Sequence, residues 1–259
     1  MSTQNQVKTN PFKPGAGHMP PYLAGRDKEK RDFLTLLDQK TILKNMVLTG
    51  LRGVGKTVLL DTFKPLVIKK RWLWVGTDMS ESASVGEEVI AQRLLVDMSV
   101  VTASVSVKKR LPATGFLTQA TFEEKTLNYA MLTKIYKSVP GLVSDKLKAV
   151  LELTWDCLAL HGINGVIFAY DEAQTMSDHA ERDQFPLSLL LDVFQSIQKK
   201  NIPFMLVLVG LPTLFPKLVE ARTFAERMFE VVMLNRLNES ETGDAIVKPI
   251  KDCRSSIFF

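Results

Sequence analysis

GLRGVGKT, Gly50 to Thr57, follows the apolar stretch MVLT at 46–49. Three glycines, an arginine and a lysine in eight residues sit at the end of what reads as a buried strand. The spacing fits G-x-x-x-x-G-K-[ST], with Gly50, Gly55, Lys56 and Thr57 in the fixed places. Glycines let the backbone turn with its N–H groups converging, which makes a nest for phosphate oxygens. Lysine adds a point charge for the β and γ phosphates, threonine a hydroxyl ligand for Mg²⁺, and the following helix its positive end. Gly50, Leu51, Arg52, Gly53, Val54, Gly55, Lys56, Thr57 and Val58 are therefore expected to hold a nucleoside triphosphate with Mg²⁺.

Such a site needs one carboxylate near the metal and a second near the attacking water. GVIFAYDEAQ, residues 165 to 174, places Asp171 and Glu172 just beyond an apolar strand-forming run. Ligands gather at that end of a parallel sheet. Asp171 is expected to assist Mg²⁺ together with Thr57, and Glu172 to orient or activate water.

Further strands are expected at Trp72 to Val75, Ile202 to Val209 and Glu230 to Leu234. Helical patterns cover Arg26 to Leu37, the segment from Lys56, and residues 86–98, 123–137, 142–161 and 186–200, with Pro65 expected to kink or end the second of these. Alternation of strands and helices predicts an α/β fold, a three-layer sandwich around a mostly parallel five-stranded sheet. VTASVSV at 101–107 has strand period, so residues 101–122 read as an inserted hairpin. Residues 1–21, rich in proline and poor in large aliphatics, read as an extended or disordered leader.

With 259 residues, 46% of them hydrophobic, the chain can bury one substantial core. Two cysteines far apart and three histidines speak against a disulfide framework or a zinc site. No apolar run approaches the roughly 18 residues of a membrane span, and no secretion signal opens the chain, so a cytoplasmic protein is expected. The net charge of +5 is mild. KKR at 69–71 and 108–110 and KK at 199–200 keep a nucleic-acid partner open, although no aromatic residues are interleaved for base stacking.

With both motifs in place, the chain resembles a P-loop ATPase of the AAA+ superfamily, in the pattern of bacterial origin-recognition-like and STAND-like ATPase domains. The resemblance covers about residues 10 to 250 and implies ATP as the nucleotide. NPFKPGAGHMPPYLAGRDKEKRDFLTLL, residues 10–37, is similar to the family's entry segment, which implies that Tyr22, Leu23, Gly25 and Arg26 line the adenine pocket. LVLVGLPTLF, residues 206–215, resembles the sensor strand. Where such proteins carry Asn, Thr or Ser at its end, this chain has Gly210, Leu211 and Pro212, with Thr213 the nearest hydroxyl.

ARTFAERMFEVVMLNRL, residues 221–237, resembles the arginine-bearing segment and implies Arg227, ahead of Arg222, as an arginine finger acting across a subunit boundary. The resemblance divides the chain into a core at 22–238 and, at 239–259, the start of an incomplete helical lid. The expected function is an Mg²⁺-dependent ATPase acting as a conformational switch for a protein partner or through self-assembly. A DNA-associated loader or remodeller, a nucleotide-holding scaffold without turnover, and a small-molecule kinase are the alternatives.

Overall fold

The computed structural model describes residues 10–12, 15, 18–39, 41–103, 106–110 and 122–255, with the backbone alone described at 83, 84, 106–110, 122–125 and 252–255. Much of the leader expected over 1–21, the middle of the expected hairpin and the terminal Ile257, Phe258 and Phe259 thus lie outside the described residues.

The elements run α1 (Asp27–Leu37), β1 (Asn45–Gly50), α2 (Lys56–Lys69), β2 (Trp72–Val75), α3 (Glu87–Thr102), β3 (Ser106–Arg110), β4 (Phe122–Thr126), α4 (Tyr129–Ser138) and α5 (Val143–Leu160). They continue β5 (Gly165–Tyr170), α6 (Pro186–Lys199), β6 (Phe204–Gly210), α7 (Leu214–Ala221), α8 (Ala225–Met228), β7 (Phe229–Leu234) and α9 (Glu239–Ser255). Five strands form one parallel sheet in the order β2-β5-β6-β1-β7. The three inner strands, β5, β6 and β1, are buried at every residue, which is why their sequences read as unbroken apolar runs.

Two apolar layers cover the sheet. On one face Phe33, Leu36 and Leu37 of α1 and Leu59, Phe63 and Val67 of α2 pack against Met46, Leu48, Ile167 and Val207. The Phe33 and Phe63 rings stack with centroids 4.0 Å apart. On the other face α3, α5, α6 and α7 contribute Leu94, Leu151, Phe194 and Leu214 against Val47, Phe168, Phe204 and Leu206. After β1 the chain therefore leaves toward one face, and after β5 and β6 toward the other, which opens a crevice at the strand ends where a ligand fits.

Buried Asn45 locks the opposite end of the sheet. Its Oδ1 accepts from the Leu206 N–H at 2.7 Å and from Gln198 Nε2 at 2.8 Å, and its Nδ2 donates to the Met228 carbonyl at 3.4 Å. One amide thus ties β1 to β6, α6 and the end of α8 with its own polar groups satisfied.

The structure departs from expectation in three places. Helix α2 runs through Pro65 to Lys69. Pro65 and Asp61 are both exposed, so the carbonyl that loses its helical donor can be solvated. Val101 and Thr102 belong to α3, where the Thr102 hydroxyl donates to the Leu127 carbonyl at 2.6 Å, and the strand starts only at Ser106. Residues 123–126, expected as helix, belong to β4, antiparallel to β3 in a register that sets Lys108 opposite Glu124 and Lys109 opposite Glu123. Helix α4 starts later because Asn128 caps it, accepting from the Met131 N–H at 3.0 Å.

Gly76, just past β2, brings that strand end against the site. Its φ is +115°, and a Cβ there would lie 2.0 Å from the Ala169 carbonyl oxygen. The close approach lets Thr77 O accept from the Asp171 N–H at 3.3 Å and Asp171 O accept from the Met79 N–H at 2.8 Å. Gly76→Ala is expected to cost about 2 kcal/mol or more, read as a lowered urea midpoint, because strain and a backbone clash coincide. A midpoint equal to the parent's would refute this account of the turn.

Candidate functional site

The glycine-rich loop joins β1 to α2. Gly53 and Gly55 have φ of +81° and +89° with nothing within 4 Å of an added Cβ, so glycine serves the backbone conformation there rather than space. Gly50 differs, since a Cβ there would lie 2.6 Å from the Leu234 carbonyl of β7. Lys56 Nζ donates to the Gly50 and Leu51 carbonyls, each at 2.9 Å, so its ammonium is held over the loop. The Thr57 hydroxyl donates to Asp171 Oδ2 at 2.5 Å.

Asp171 is only 4% exposed. Its Oδ1 accepts from the Glu172 N–H at 2.7 Å. Burial pushes its carboxyl above the usual range, the hydrogen bonds from Thr57 and the Glu172 amide oppose this, and the charges of Glu172 and Asp78 push further upward. Glu172 itself is exposed and sits at φ +52° in the left-handed region. Its Oε2 accepts from Gln174 Nε2. Gln174 Oε1 in turn accepts from the Leu211 N–H at 3.0 Å, so Gln174, rather than Thr213, joins Glu172 to the end of β6.

A cleft of about 510 Å³ lies beside the loop. Tyr22, Leu23, Ala24 and Arg26 form one wall, Arg52, Gly53, Val54, Gly55 and Val58 another, and Arg236, Leu237 and Ala245 a third. Gly50, Leu51, Lys56 and Thr57 do not line it, and Thr57 meets Asp171 instead. Arg26 is buried and donates through Nη2 to the carbonyls of Val54 at 3.0 Å and Asn235 at 2.9 Å. It fastens the loop to the segment after β7. Gly25, at φ +64°, packs against Glu241 of α9 rather than lining the cleft. The Tyr22 hydroxyl accepts from Lys248 Nζ at 2.6 Å, and that ammonium stands 4.3 Å from the ring centroid. Nothing in the sequence marked His18, Pro20, Arg236, Leu237 or Ala245 as lining residues, although Arg236 and Leu237 lie within the arginine-bearing segment.

Those two arginines have different situations. Arg222 grips Asp192 through Nε at 2.9 Å and Nη2 at 2.6 Å, and its Nη1 donates to Ser188 Oγ at 2.7 Å. Hydrogen bonding to Asp192 raises its pKa further. Arg227 is exposed just before β7, beside Thr41, Leu43, Gln195 and Lys199, at the end of the sheet where the strands begin. Roughly 17 Å of strand separates that end from the loop.

Basic groups flagged for a nucleic acid are partly engaged within the chain. Lys70 pairs with Asp38, Lys200 with Glu152 at 2.6 Å, and Arg71 donates to the His161 carbonyl at 3.4 Å. Among the described residues no group of three or more His, Cys, Asp and Glu could hold a metal ion, and no helix is long and apolar enough to cross a membrane.

No family model and no curated protein matches the sequence. Solved structures do match. Cdc6p from Pyrobaculum aerophilum is similar over 92% of this chain and 52% of its own, with 13% identity and a TM-score of 0.54. The ORC2 protein of Aeropyrum pernix is similar over 92% of this chain and 55% of its own, with 16% identity and a TM-score of 0.54 in its ADPNP-ADP complexes, and 15% and 0.53 in its ADP form. The chain thus spans about half the length of these proteins. A five-stranded parallel sheet in this order, with the glycine-rich turn after its β1 strand and the acidic pair after its β5 strand, gives the chain the α/β fold of a P-loop NTPase, similar to the fold of these proteins.

Proposed function

We propose that the chain binds ATP with Mg²⁺ at Gly50–Val58 and hydrolyses it, using the cycle as a conformational switch. The observation that carries this reading is the 2.5 Å hydrogen bond from Thr57 to Asp171, which joins the two motifs at one point. Binding of ADP and ADPNP by the Aeropyrum pernix ORC2 protein supports the choice of nucleotide.

In this reading the loop amides and Lys56 hold the β and γ phosphates, with the ammonium exchanging the Gly50 and Leu51 carbonyls for phosphate oxygens. Thr57 and Asp171 are hard oxygen donors, too few to hold an ion alone, which suits Mg²⁺ that completes its shell with phosphate and water. Held by Thr57 and Asp171, Mg²⁺ would supply charge neutralisation at the phosphates. Glu172 orients the attacking water and accepts its proton. The water oxygen bonds to the γ phosphorus, the bridging P–O bond breaks, and ADP leaves with the electron pair. Tyr22, Leu23, Arg52, Val58, Arg236 and Leu237 surround the base and sugar, with Arg26 and Gly25 as supports of that wall.

Residues 22–238 form the ATPase core and α9 the beginning of a lid, which Lys248 and Glu241 dock onto the entry segment. Arg227 completes the site of a neighbouring copy in a head-to-tail assembly, since it stands at the far end of the sheet from its own loop. The cytoplasm is the compartment this reading implies. A nucleic-acid partner has less support, because several of the basic groups that suggest it are already paired.

Purified protein is expected to bind ATP and release phosphate without an added acceptor, and EDTA is expected to abolish release. Lys56→Ala should weaken ATP binding at least about tenfold, whereas Glu172→Gln should keep binding and lose about a hundredfold in turnover. Equal ATP affinity of Lys56→Ala and parent would refute the site. Arg227→Ala should retain ATP affinity and abolish any rise of specific activity with protein concentration; an unchanged concentration dependence would remove its role across the subunit boundary.

A further inference from the structure

Strand β6 ends at Gly210, which offers no side chain to the site. The space beside it is filled from another element: a Cβ at Gly210 would lie 2.6 Å from Gln174 Oε1. That amide is used at both ends, with Oε1 accepting from the Leu211 N–H at 3.0 Å and Nε2 donating to Glu172 Oε2. Its orientation is fixed by chemistry, since a backbone N–H can only donate and a carboxylate can only accept. The backbone carbonyl of Gln174 is held as well, accepting from Lys217 Nζ of α7 at 2.7 Å, and the same ammonium donates to Ser177 Oγ at 3.2 Å.

We infer that Gln174 is the positioning residue of the hydrolytic step, supplying from the turn after β5 the hydrogen-bonding group that β6 lacks at Gly210. This rests on the reading of Glu172 as the group that orients the attacking water. Glu172 is exposed and, among the described residues, its carboxylate accepts from Gln174 alone, so one oxygen held by an amide anchored just past β6 fixes where the carboxylate points. The other oxygen remains to accept from water. Gln174 is not among the residues that line the cleft and acts through Glu172. Because Leu211 leads into α7, the same amide links the carboxylate to the helix that Lys217 ties down.

The test measures steady-state phosphate release by the full chain over a range of ATP concentrations, with nucleotide affinity titrated in the same samples using a fluorescent ADP. Gln174→Ala and Gln174→Met should each lower kcat about tenfold or more while KM for ATP and ADP affinity stay within about threefold. Methionine fills the space without either hydrogen bond, so it separates positioning from packing. Gly210→Asn alone should also lose turnover, because its Cβ meets the Gln174 amide. Combined with Gln174→Ala, it returns an amide from the strand side and should restore kcat to within about threefold of the parent. Parent-like turnover of Gln174→Met, a loss confined to KM, or a double variant no better than Gln174→Ala would overturn the inference alone. A parent that releases no phosphate would instead defeat the hydrolytic reading and this inference with it.

Discussion

Two short loops separated by 114 residues meet at one hydrogen bond, from the Thr57 hydroxyl to the Asp171 carboxylate, and the sheet exists in a form that makes this meeting unavoidable. Parallel pairing puts the ends of β1, β5 and β6 on one edge, and β6 between the other two sets their spacing. The register aligns Thr49 with Gly210 and Tyr170 with Leu208, so the loop, the acidic pair and the turn after β6 emerge side by side. Helices leaving toward opposite faces then keep the crevice between them open.

The carboxylate end of that bond is held from behind as well. Tyr170, immediately before Asp171, is fully buried, and its hydroxyl donates to Asp97 Oδ2 at 3.0 Å. Arg93 Nε donates to the same oxygen at 2.9 Å and balances its charge. Burial, with the Asp97 charge and hydrogen bond added, raises the Tyr170 pKa well above its ordinary value, so this phenol stays a neutral donor. A buried polar group with all its partners in place resists rearrangement, which suits a residue whose neighbour must stay put. On the cleft side Arg26 plays the matching part, tying the loop at Val54 to Asn235. Its buried guanidinium would be costly without those carbonyls and the nearby Glu29, 3.5 Å from Nη1.

The inner strands and the loop were legible in the sequence because each is dictated by local chemistry: continuous burial makes continuous apolar runs, and left-handed turns demand glycine. Gly165–Tyr170, buried at every residue, coincides with the expected strand for that reason. The segment from Val101 to Thr126 was harder, because its alternating pattern spans the end of α3 and the start of β3, and the boundary is set by contacts such as Thr102 to Leu127 rather than by periodicity. Partners of long polar side chains were not legible at all. Arg26, read as a pocket residue, lines the cleft and also fastens the loop to the segment after β7, and Gln174, to which the sequence assigned no role, bridges Glu172 and Leu211. Each depends on which carbonyl or amide a folded chain presents tens or hundreds of residues away.

Glu172 shows how residue type and backbone can disagree at one position. Its left-handed φ of +52° would suit glycine or asparagine, and a glutamate held there carries strain on the order of 1 kcal/mol or more. Local hydrogen bonds oppose that strain: its N–H donates to Asp171 Oδ1 at 2.7 Å, and its carbonyl accepts from the Thr175 N–H at 3.0 Å and the Thr175 hydroxyl at 2.9 Å. Glycine would keep every one of these main-chain bonds and relieve the strain, but it would leave Gln174 with no carboxylate to hold. Backbone stability alone therefore argues against glutamate at this turn, and the hydrolytic role proposed for Glu172 would account for its side chain there, next to Asp171.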